Sequence, residues 1–127
     1  MDRSKLNLDP LKKALTSLER SIVQPKNEFT RDSVIQRFEY TFELSWRLMP
    51  QWIEADRALD DNSVKGILRE GAKLGLIDNL ELWFELQRTR NLTSHTYNEN
   101  VAEEVYKIAL KLPSETKSLL TKLEGKS

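Results

Sequence analysis

The chain has 127 residues, 39% hydrophobic and 31% charged, with 20 basic and 20 acidic side chains and a formal net charge of zero. This length fits one domain, 1–127, that buries roughly two-thirds of its unfolded surface. The balanced charge excludes a strong global attraction to nucleic acid or to an anionic membrane. The absence of cysteine excludes disulfides and thiolate chemistry, and a single histidine excludes multi-histidine metal sites.

The amino-terminal segment and the apolar runs bear on where the protein acts. The first ten residues, MDRSKLNLDP, lack the apolar core of a signal peptide. No run approaches the ~20 apolar residues that a membrane-spanning helix needs. We therefore expect a cytoplasmic protein without a membrane association.

The first half of the chain repeats its apolar residues at helical spacing. The first predicted helix has Asp9 as N-cap and Pro10 at its first position. The second is predicted from about Thr30 to Ala58. Pro50 should kink that helix, because proline removes a backbone hydrogen bond and clashes with the preceding turn. The stripe of the second helix consists of Ile35, Phe38, Phe42, Trp46, Met49 and Ile53.

A shorter helix is predicted after the polar loop RALDDNSVKG. Ser63 is its predicted N-cap, and Gly75 ends it. The pair Asp78 and Glu81 resembles a capping box, which would open the next helix. We expect that helix to continue through an apolar first half into the polar stretch 87–98.

One more helix and a terminal segment complete the chain. Asn98 is the predicted cap of the last main helix, and Pro113 marks a bend or a restart after it. No segment shows the alternation of a strand, and no internal repeat is present. The sequence therefore predicts an all-α fold, an up-and-down four-helix bundle with short additional helices.

Several residue groups that could carry chemistry have simpler interpretations. The four glycines are scattered and form no phosphate-binding loop. The loop aspartates Asp56, Asp60 and Asp61 are interpreted as caps and solvated charge rather than as metal ligands. The three tryptophans lie on apolar helix stripes, which is typical of core packing rather than of base stacking. We therefore predict neither a cofactor nor a metal site.

The stretch 87–98 has an unusual composition for a helix. It contains one aliphatic residue, Leu92, and the only histidine of the chain. An exposed helix face normally uses Glu and Lys, whereas this stretch uses Thr, Ser, Asn and His, which are poorer helix formers. Such a composition indicates a requirement other than solubility, although an ordinary exposed face is the alternative.

An α-helix through this stretch would form one polar sector. At about 100° per residue, Asn91 and His95 share a face, and Arg90, Ser94 and Tyr97 form an adjoining stripe. The sector would contain an arginine, an asparagine, a histidine and a tyrosine. The alternative for His95 is a surface or hydrogen-bonded residue without a catalytic role. A helical bundle that has no site at all is a further alternative.

The same residues resemble a known signature. The sequence RNLTSHTY has an arginine, four further residues, a histidine, one residue and a tyrosine, like the motif of the HEPN superfamily branch paired with minimal nucleotidyltransferases. Three blocks resemble the nucleotidyltransferase substrate-binding proteins in the same order. They are RDSVIQRFEYTFELSWRLM at 31–49, GAKLGLIDNLELWFELQRTRNLTSHTYNE at 71–99 and AEEVYKIAL at 102–110.

The resemblance implies both a partner and roles for the motif residues. It implies a helical bundle that forms a homodimer or a higher oligomer, with the motif helices facing each other across a cleft. It also implies a separately encoded minimal nucleotidyltransferase partner. Arg90 and His95 would be catalytic, Asn91 and Ser94 auxiliary polar residues, and Tyr97 the modified hydroxyl.

Two functions are compatible with this family. In one, the chain is a toxin, a metal-independent endoribonuclease, which is silenced when the partner attaches adenylate to Tyr97. In the other, it is the non-catalytic substrate-binding subunit of a two-component nucleotidyltransferase. The toxin hypothesis is favoured because it gives specific roles to the histidine and the tyrosine. RNA cleavage needs a base and an acid, and a symmetric dimer would supply two imidazoles to one cleft.

Overall fold

The computed structural model describes residues 3–125. All regular structure within these residues is helical, which confirms the predicted all-α class. The α-helices are α1 (Asp9–Ile22), α2 (Glu28–Glu54), α3 (Val64–Lys73), α4 (Leu80–Asn91), α5 (Glu99–Ala109) and α6 (Leu112–Leu123). Two 3-10 helices cover Arg3–Lys5 and Leu92–His95.

Helix α2 is the centre of the bundle. It contacts α1, α3, α4, α5 and α6. The apolar stripe of α2 is buried as predicted at Phe38, Phe42, Met49 and Ile53, which are at most 1% exposed. The ring centroids of Phe42 and the buried Trp83 on α4 are 6.0 Å apart. The core therefore joins α2 to α4, the helix that leads into the candidate site.

The tryptophans pack in or against this core, as the sequence predicts. Trp83 is fully buried, and Trp46 and Trp52 are half-buried against the core cluster. The guanidinium of Arg3 lies 3.6 Å from the ring centroid of Trp52. This cation–π contact covers the Trp52 ring near the end of α2. Trp52 therefore contributes to packing rather than to a base-stacking surface.

Three predicted helix starts are wrong by one or two residues. Asp9 is already part of α1, and the Oδ1 atom of Asn7 accepts a hydrogen bond from its N–H at 3.2 Å. Helix α2 begins before Thr30 because Asn27 caps it, and the Thr30 hydroxyl accepts from the N–H of Asn27 at 2.8 Å. Asn79, rather than Asp78, caps α4 by accepting a bond from the Leu82 N–H at 3.1 Å.

Most of the other predicted boundaries agree with the structure. The Ser63 hydroxyl caps α3, Gly75 follows α3 with a φ of 83°, and Asn98 caps α5. Pro113 lies in the first turn of α6, where the missing N–H costs no helical hydrogen bond. Helix α2 ends at Glu54 rather than near Ala58, and it continues past Pro50 for one further turn.

Between residues 3 and 125, no helix has the length and apolar character needed to cross a membrane.

Candidate functional site

The polar stretch is not one α-helix, so this prediction is wrong. Helix α4 ends at Asn91, and a 3-10 helix covers Leu92–His95. The Thr93 hydroxyl donates to the carbonyl of Arg90 at 2.8 Å, and the Thr96 hydroxyl donates to the carbonyl of Thr93 at 3.2 Å. Threonine hydroxyls that bond to nearby carbonyls compete with the backbone ladder. The poor helix formers of this stretch thus tighten the chain after α4.

The change of helix type alters which side chains face the same way. A 3-10 helix has three residues per turn, so each residue advances about 120° instead of about 100°. The predicted common face of Asn91 and His95 assumed an α-helix and does not apply. The structure instead distributes the motif residues into two separate contacts.

The first contact holds Arg90 against α2. Its Nε atom donates to Oε1 of Glu43 at 2.9 Å, and a terminal nitrogen lies 3.6 Å from Oε1 of Glu39. The side chain of Arg90 is 29% exposed. Two carboxylates therefore fix the guanidinium while leaving some of its five N–H donors directed to solvent.

Arg90 also lines an open cleft of about 510 Å³. The cleft lies along α2 and is lined by Gln36, Glu39, Tyr40, Glu43, Leu44, Arg47 and Arg90. The charge in this cleft is mixed, since Arg47 also approaches Glu43 at 3.5 Å. A polar ligand could reach the guanidinium of Arg90 from this side.

The second contact joins His95 and Tyr97. The Nδ1 atom of His95 and the hydroxyl of Tyr97 are 3.4 Å apart, and their rings meet edge to face at a centroid distance of 6.0 Å. Tyr97 is 83% exposed, an unusual degree for an aromatic residue. His95, Asn91 and Ser94 are exposed as well. The imidazole and the phenol are thus open to a substrate or to another protein.

Sequence reasoning placed these residues in one sector and missed the carboxylates that position Arg90. Among residues 3–125, the Arg90 side chain bonds to α2 while His95 and Tyr97 bond to each other, so the motif is divided within one chain. Glu39 and Glu43 lie four residues apart on α2, a spacing that places them on one helix face. In the sequence, this acidic pair next to the apolar stripe of α2 is the feature that could have indicated partners for Arg90.

A buried arginine ties the end of the site to α2. The Arg31 side chain is 5% exposed and donates to Glu99 at 2.6 Å and to Glu103 at 3.2 Å, both on α5. It also donates to its neighbour Asp32 at 3.0 Å. The hydrogen bond to Glu99 raises the pKa of Arg31 above its ordinary value. Arg31 thereby fixes the start of α5, two residues beyond Tyr97.

The pKa values of the two α5 carboxylates in this cluster are lowered, whereas that of Arg31 is raised. The Arg31 hydrogen bond lowers the pKa of Glu99. The hydrogen bond from Lys26, followed by that from Arg31, lowers the pKa of Glu103. Both carboxylates are therefore held in their charged form.

Of the three loop aspartates, Asp61 acts as a local turn residue. The Oδ1 atom of Asp61 accepts a hydrogen bond from the N–H of Ser63 at 2.9 Å, and the pKa of Asp61 is lowered by its hydrogen bonds from Ser63. Within the described part of the chain, no group of three or more His, Asp or Glu residues is placed to hold a metal ion.

Comparison with known proteins gives related sequences and folds. The family model "nucleotidyltransferase substrate binding protein like" matches residues 6–125. A Haemophilus influenzae protein named "probable ribonuclease HepT" is 36% identical, over an alignment that covers 84% of each chain.

Two solved structures share the fold. A Haemophilus influenzae structure, described as revealing the fold of a substrate binding domain of a nucleotidyltransferase, superposes with a TM-score of 0.83 and 32% identity, covering 92% of this chain and 98% of that one. A crystal structure from Thermus thermophilus has a TM-score of 0.81 and 30% identity, covering 89% of this chain and 98% of that one. This chain belongs to the nucleotidyltransferase substrate binding protein-like family, as its motif blocks predict.

Proposed function

We propose that this protein is a HEPN-type toxin, a metal-independent endoribonuclease that acts as a homodimer in the cytoplasm. A cognate minimal nucleotidyltransferase neutralises it by adenylylation of Tyr97. The observation that carries the proposal is the exposed His95–Tyr97 pair, which follows α4, the helix that contains Arg90. The relative named probable ribonuclease HepT supports the same reaction class.

His95 supplies proton transfer in this proposal. The imidazole of one subunit accepts the proton of the ribose 2′-hydroxyl, whose oxygen attacks the adjacent phosphorus. The bond to the 5′-oxygen breaks, and the imidazolium of the second subunit gives that oxygen its proton. A neutral imidazole accepts a proton and an imidazolium donates one, so each His95 can serve as base or acid, with a typical ~10²–10⁴-fold effect.

Arg90 stabilises the charge that develops on the phosphate oxygens. Its guanidinium is planar and permanently charged, and donors beyond those near Glu43 and Glu39 are available for the phosphate. Preorganised donors of this kind contribute because they need no reorganisation during the reaction. The carboxylates on α2 supply that preorganisation.

Tyr97 is the residue whose modification by the partner stops RNA cleavage in this proposal. The partner transfers the adenylyl group of ATP to the phenolic oxygen, which loses its proton, and pyrophosphate leaves. The exposed side chain is accessible to a second enzyme, and its hydroxyl lies 3.4 Å from the His95 ring nitrogen. The attached phosphate therefore occupies the position beside the imidazole and excludes RNA by steric overlap and by like charge.

RNA cleavage by purified dimer in chelator-containing buffer tests the catalytic assignment. His95→Ala should lower the cleavage rate at least about 100-fold, the lower range for loss of acid–base catalysis. Tyr97→Phe is the matched control and should cleave like the parent, because the phenol has no catalytic role. Parent-like cleavage by His95→Ala would remove His95 from the mechanism.

Co-expression with the neighbouring nucleotidyltransferase gene tests the switch. Intact-mass measurement should show added adenylate on the parent and none on Tyr97→Phe, and the modified parent should not cleave RNA. Mapping of the adenylate to a residue other than Tyr97 would contradict the proposed switch.

The substrate-binding subunit is the second candidate. It is favoured by the open cleft that Arg47 and Arg90 line, and by the description of the Haemophilus influenzae structure. This candidate predicts a protein that binds a nucleotide but leaves RNA intact. Expression without the partner distinguishes the two, because only the toxin arrests growth and only its arrest is relieved by Arg90→Ala.

A further inference from the structure

A second polar depression lies between α1 and α2, away from the motif residues. It has a volume of about 280 Å³, and none of the residues that line it is acidic. These residues are Ser17, Arg20, Ser21, Gln24, Ser33 and Arg37. Two guanidinium groups and three hydroxyls therefore surround one small space, which we call the serine–arginine pocket.

Arg37 carries an uncompensated charge in this pocket. The side chain is half-buried, and it donates to the Ser17 hydroxyl at 2.9 Å, to the Ser33 hydroxyl at 2.6 Å and to the Ser33 carbonyl at 3.3 Å. No carboxylate of residues 3–125 forms an ion pair with it. Arg31 and Arg90, by contrast, each contact carboxylates. Arg37 therefore keeps a positive charge beside the pocket that no carboxylate of residues 3–125 neutralises.

Arg20 adds a second cation at the mouth of the pocket. It is exposed, and its side chain makes no ion pair within the part of the chain that the structure describes. Arg20 also lines a neighbouring depression of about 400 Å³ with Lys12 and Lys13 on the same helix. Guanidinium forks and hydroxyl donors suit the tetrahedral oxygens of a phosphate group.

The serine–arginine pocket connects to the Arg90 cleft through one side chain. The Tyr40 hydroxyl lies 3.1 Å from the Ser17 hydroxyl, and Tyr40 also lines the cleft that contains Arg90. Arg37 and Glu43 are six residues apart on α2, which is about 9 Å of axial rise. A single strand could thus pass from the pocket across the tyrosine to Arg90.

We propose that the serine–arginine pocket binds a backbone phosphate of the RNA substrate, remote from the bond that is cleaved. This inference rests on the proposed ribonuclease function and adds a substrate-binding site to it. Arg20 and Arg37 hold the phosphate, and Tyr40 offers an aromatic face to a base on the way to Arg90. The site is selective for phosphodiester chains rather than for a base sequence, since it reads only the backbone.

Equilibrium binding of a fluorescent single-stranded 2′-O-methyl oligonucleotide tests this site without cleavage. Arg20→Ala should weaken binding about tenfold, the loss expected for one charge-assisted contact. It should also reduce the slope of log affinity against log salt by about 0.7, the value for one phosphate on a single strand. Arg37→Ala should have a similar effect.

Arg57→Ala is the matched control. It also removes one arginine, but Arg57 lies beyond the far end of α2 and pairs with Glu70 at 3.2 Å. Its affinity and salt slope should equal those of the parent. Arg37→Ala also removes contacts between α1 and α2, so its Tm is measured, and Arg20→Ala decides the result if Arg37→Ala unfolds.

Parent-like affinity and salt slope in Arg20→Ala would overturn the phosphate site. Weaker binding of ATP alone, with unchanged binding of the oligonucleotide, would assign the pocket to a free nucleotide and would also overturn it. The oligonucleotide cannot be cleaved, so the two proposals fail separately. A parent that binds it through Arg20, yet leaves ordinary RNA intact, would reject the ribonuclease and retain the pocket.

Discussion

Arg90 owes its position to two carboxylates on another helix. Glu43 accepts from its Nε atom at 2.9 Å, whereas Glu39 lies 3.6 Å from a terminal nitrogen. Glu43 also accepts a hydrogen bond from the Trp46 indole at 3.3 Å, so its own side chain is held in place. Glu43 is therefore a positioning residue for the guanidinium.

Replacement of Glu43 should reduce catalysis more than stability. In Glu43→Ala the guanidinium loses its closest partner and samples several rotamers, so fewer molecules present it to the phosphate. We expect a fall in kcat of about tenfold with little change in KM. Steady-state kinetics on a short RNA measures both constants.

Glu39→Ala is the control for this change, because it also removes one carboxylate near Arg90 but loses only the longer contact. It should retain most of the parent kcat, and Glu43→Asp should recover part of the lost rate. Equal losses in Glu39→Ala and Glu43→Ala would show that net charge, and not the Nε contact, sets the rate.

The sequence identifies the motif residues but not their partners. Arg90, His95 and Tyr97 fall within eight consecutive positions, so a short pattern is enough to select them. Glu43 lies 47 positions before Arg90, and only the packing of α2 against α4 brings the two together. The catalytic roles of the motif residues stay predictions.

At the scale of elements, the cap of α5 is directly joined to the motif. The Asn98 side chain accepts from the N–H groups of Asn100 and Val101 at 2.9 and 3.2 Å. The backbone N–H of Asn98 donates to the carbonyl of His95 at 3.1 Å. The cap thus fixes the turn that contains Tyr97 between the 3-10 helix and α5.

Asn98→Ala should lower both stability and activity. Loss of an N-cap costs about 1 kcal/mol in the free energy of unfolding. The turn that holds the His95–Tyr97 pair loosens with it, so RNA cleavage should fall severalfold. Denaturant unfolding and a cleavage assay measure the two effects.

Asn27→Ala provides the comparison, because Asn27 caps α2 with the same side chain at a distance in sequence from the motif. It should cost a similar free energy of unfolding and leave the cleavage rate unchanged. A matching drop in cleavage for Asn27→Ala would mean that general loosening, rather than the motif turn, affects activity.

The Arg31 cluster makes the α2–α5 contact sensitive to acid. The folded state lowers the pKa of Glu99 and Glu103 below the ordinary value of 4.5. A carboxylate with a lowered pKa stabilises the fold fully above 4.5 and loses that contribution as the pH falls through its folded-state pKa. The Tm of the parent should therefore decrease as the pH is lowered below about 4.5.

The double variant Glu99→Gln, Glu103→Gln isolates this contribution. It replaces two of the three carboxylate partners of the buried Arg31 by amides and leaves Asp32, so its Tm at about pH 7 should be lower than that of the parent. Its Tm should also depend less on pH between about 5 and 3, because two of the titrating groups are gone. Thermal unfolding across this range gives both quantities, and identical slopes for the two proteins would exclude the cluster as the cause.

Element boundaries show what periodicity can and cannot predict. The apolar stripes place α1, α2 and α5 apart from errors at their ends, because burial of these stripes drives the packing, whereas the Ser63 cap and Gly75 place α3. The predicted end of α4 is wrong because no proline or glycine marks the actual one. Instead, the hydroxyls of Thr93 and Thr96 donate to backbone carbonyls where the chain changes to a 3-10 helix. Which carbonyl a threonine hydroxyl bonds to depends on the local backbone, so the sequence pattern does not predict it.

At the scale of the whole molecule, α2 organises three of the charged sites described above. Arg31 holds the start of α5, Arg37 faces the serine–arginine pocket, and Glu43 holds Arg90. The apolar stripe of α2 packs into the core. One long helix thus sets the distances between the core, the candidate catalytic residues and the proposed RNA contacts.

A single chain supplies one imidazole, and that imidazole is exposed. If one histidine is the base and the other is the acid, both subunits of a dimer must contribute. A mixture of parent and His95→Ala subunits should then lose activity as the square of the parent fraction, after subunit exchange is complete. Sites that act independently would give a linear decrease instead.

Tyr97→Phe is the control for the mixing experiment, because it exchanges into the same dimers but retains both imidazoles. Activity should stay constant as its fraction increases. RNA cleavage measured across the mixing ratios, with mass spectrometry to verify exchange, separates the two curves most clearly near equal amounts of parent and His95→Ala. A linear decrease there would show that one histidine is sufficient, because only a shared cleft makes each mixed dimer inactive.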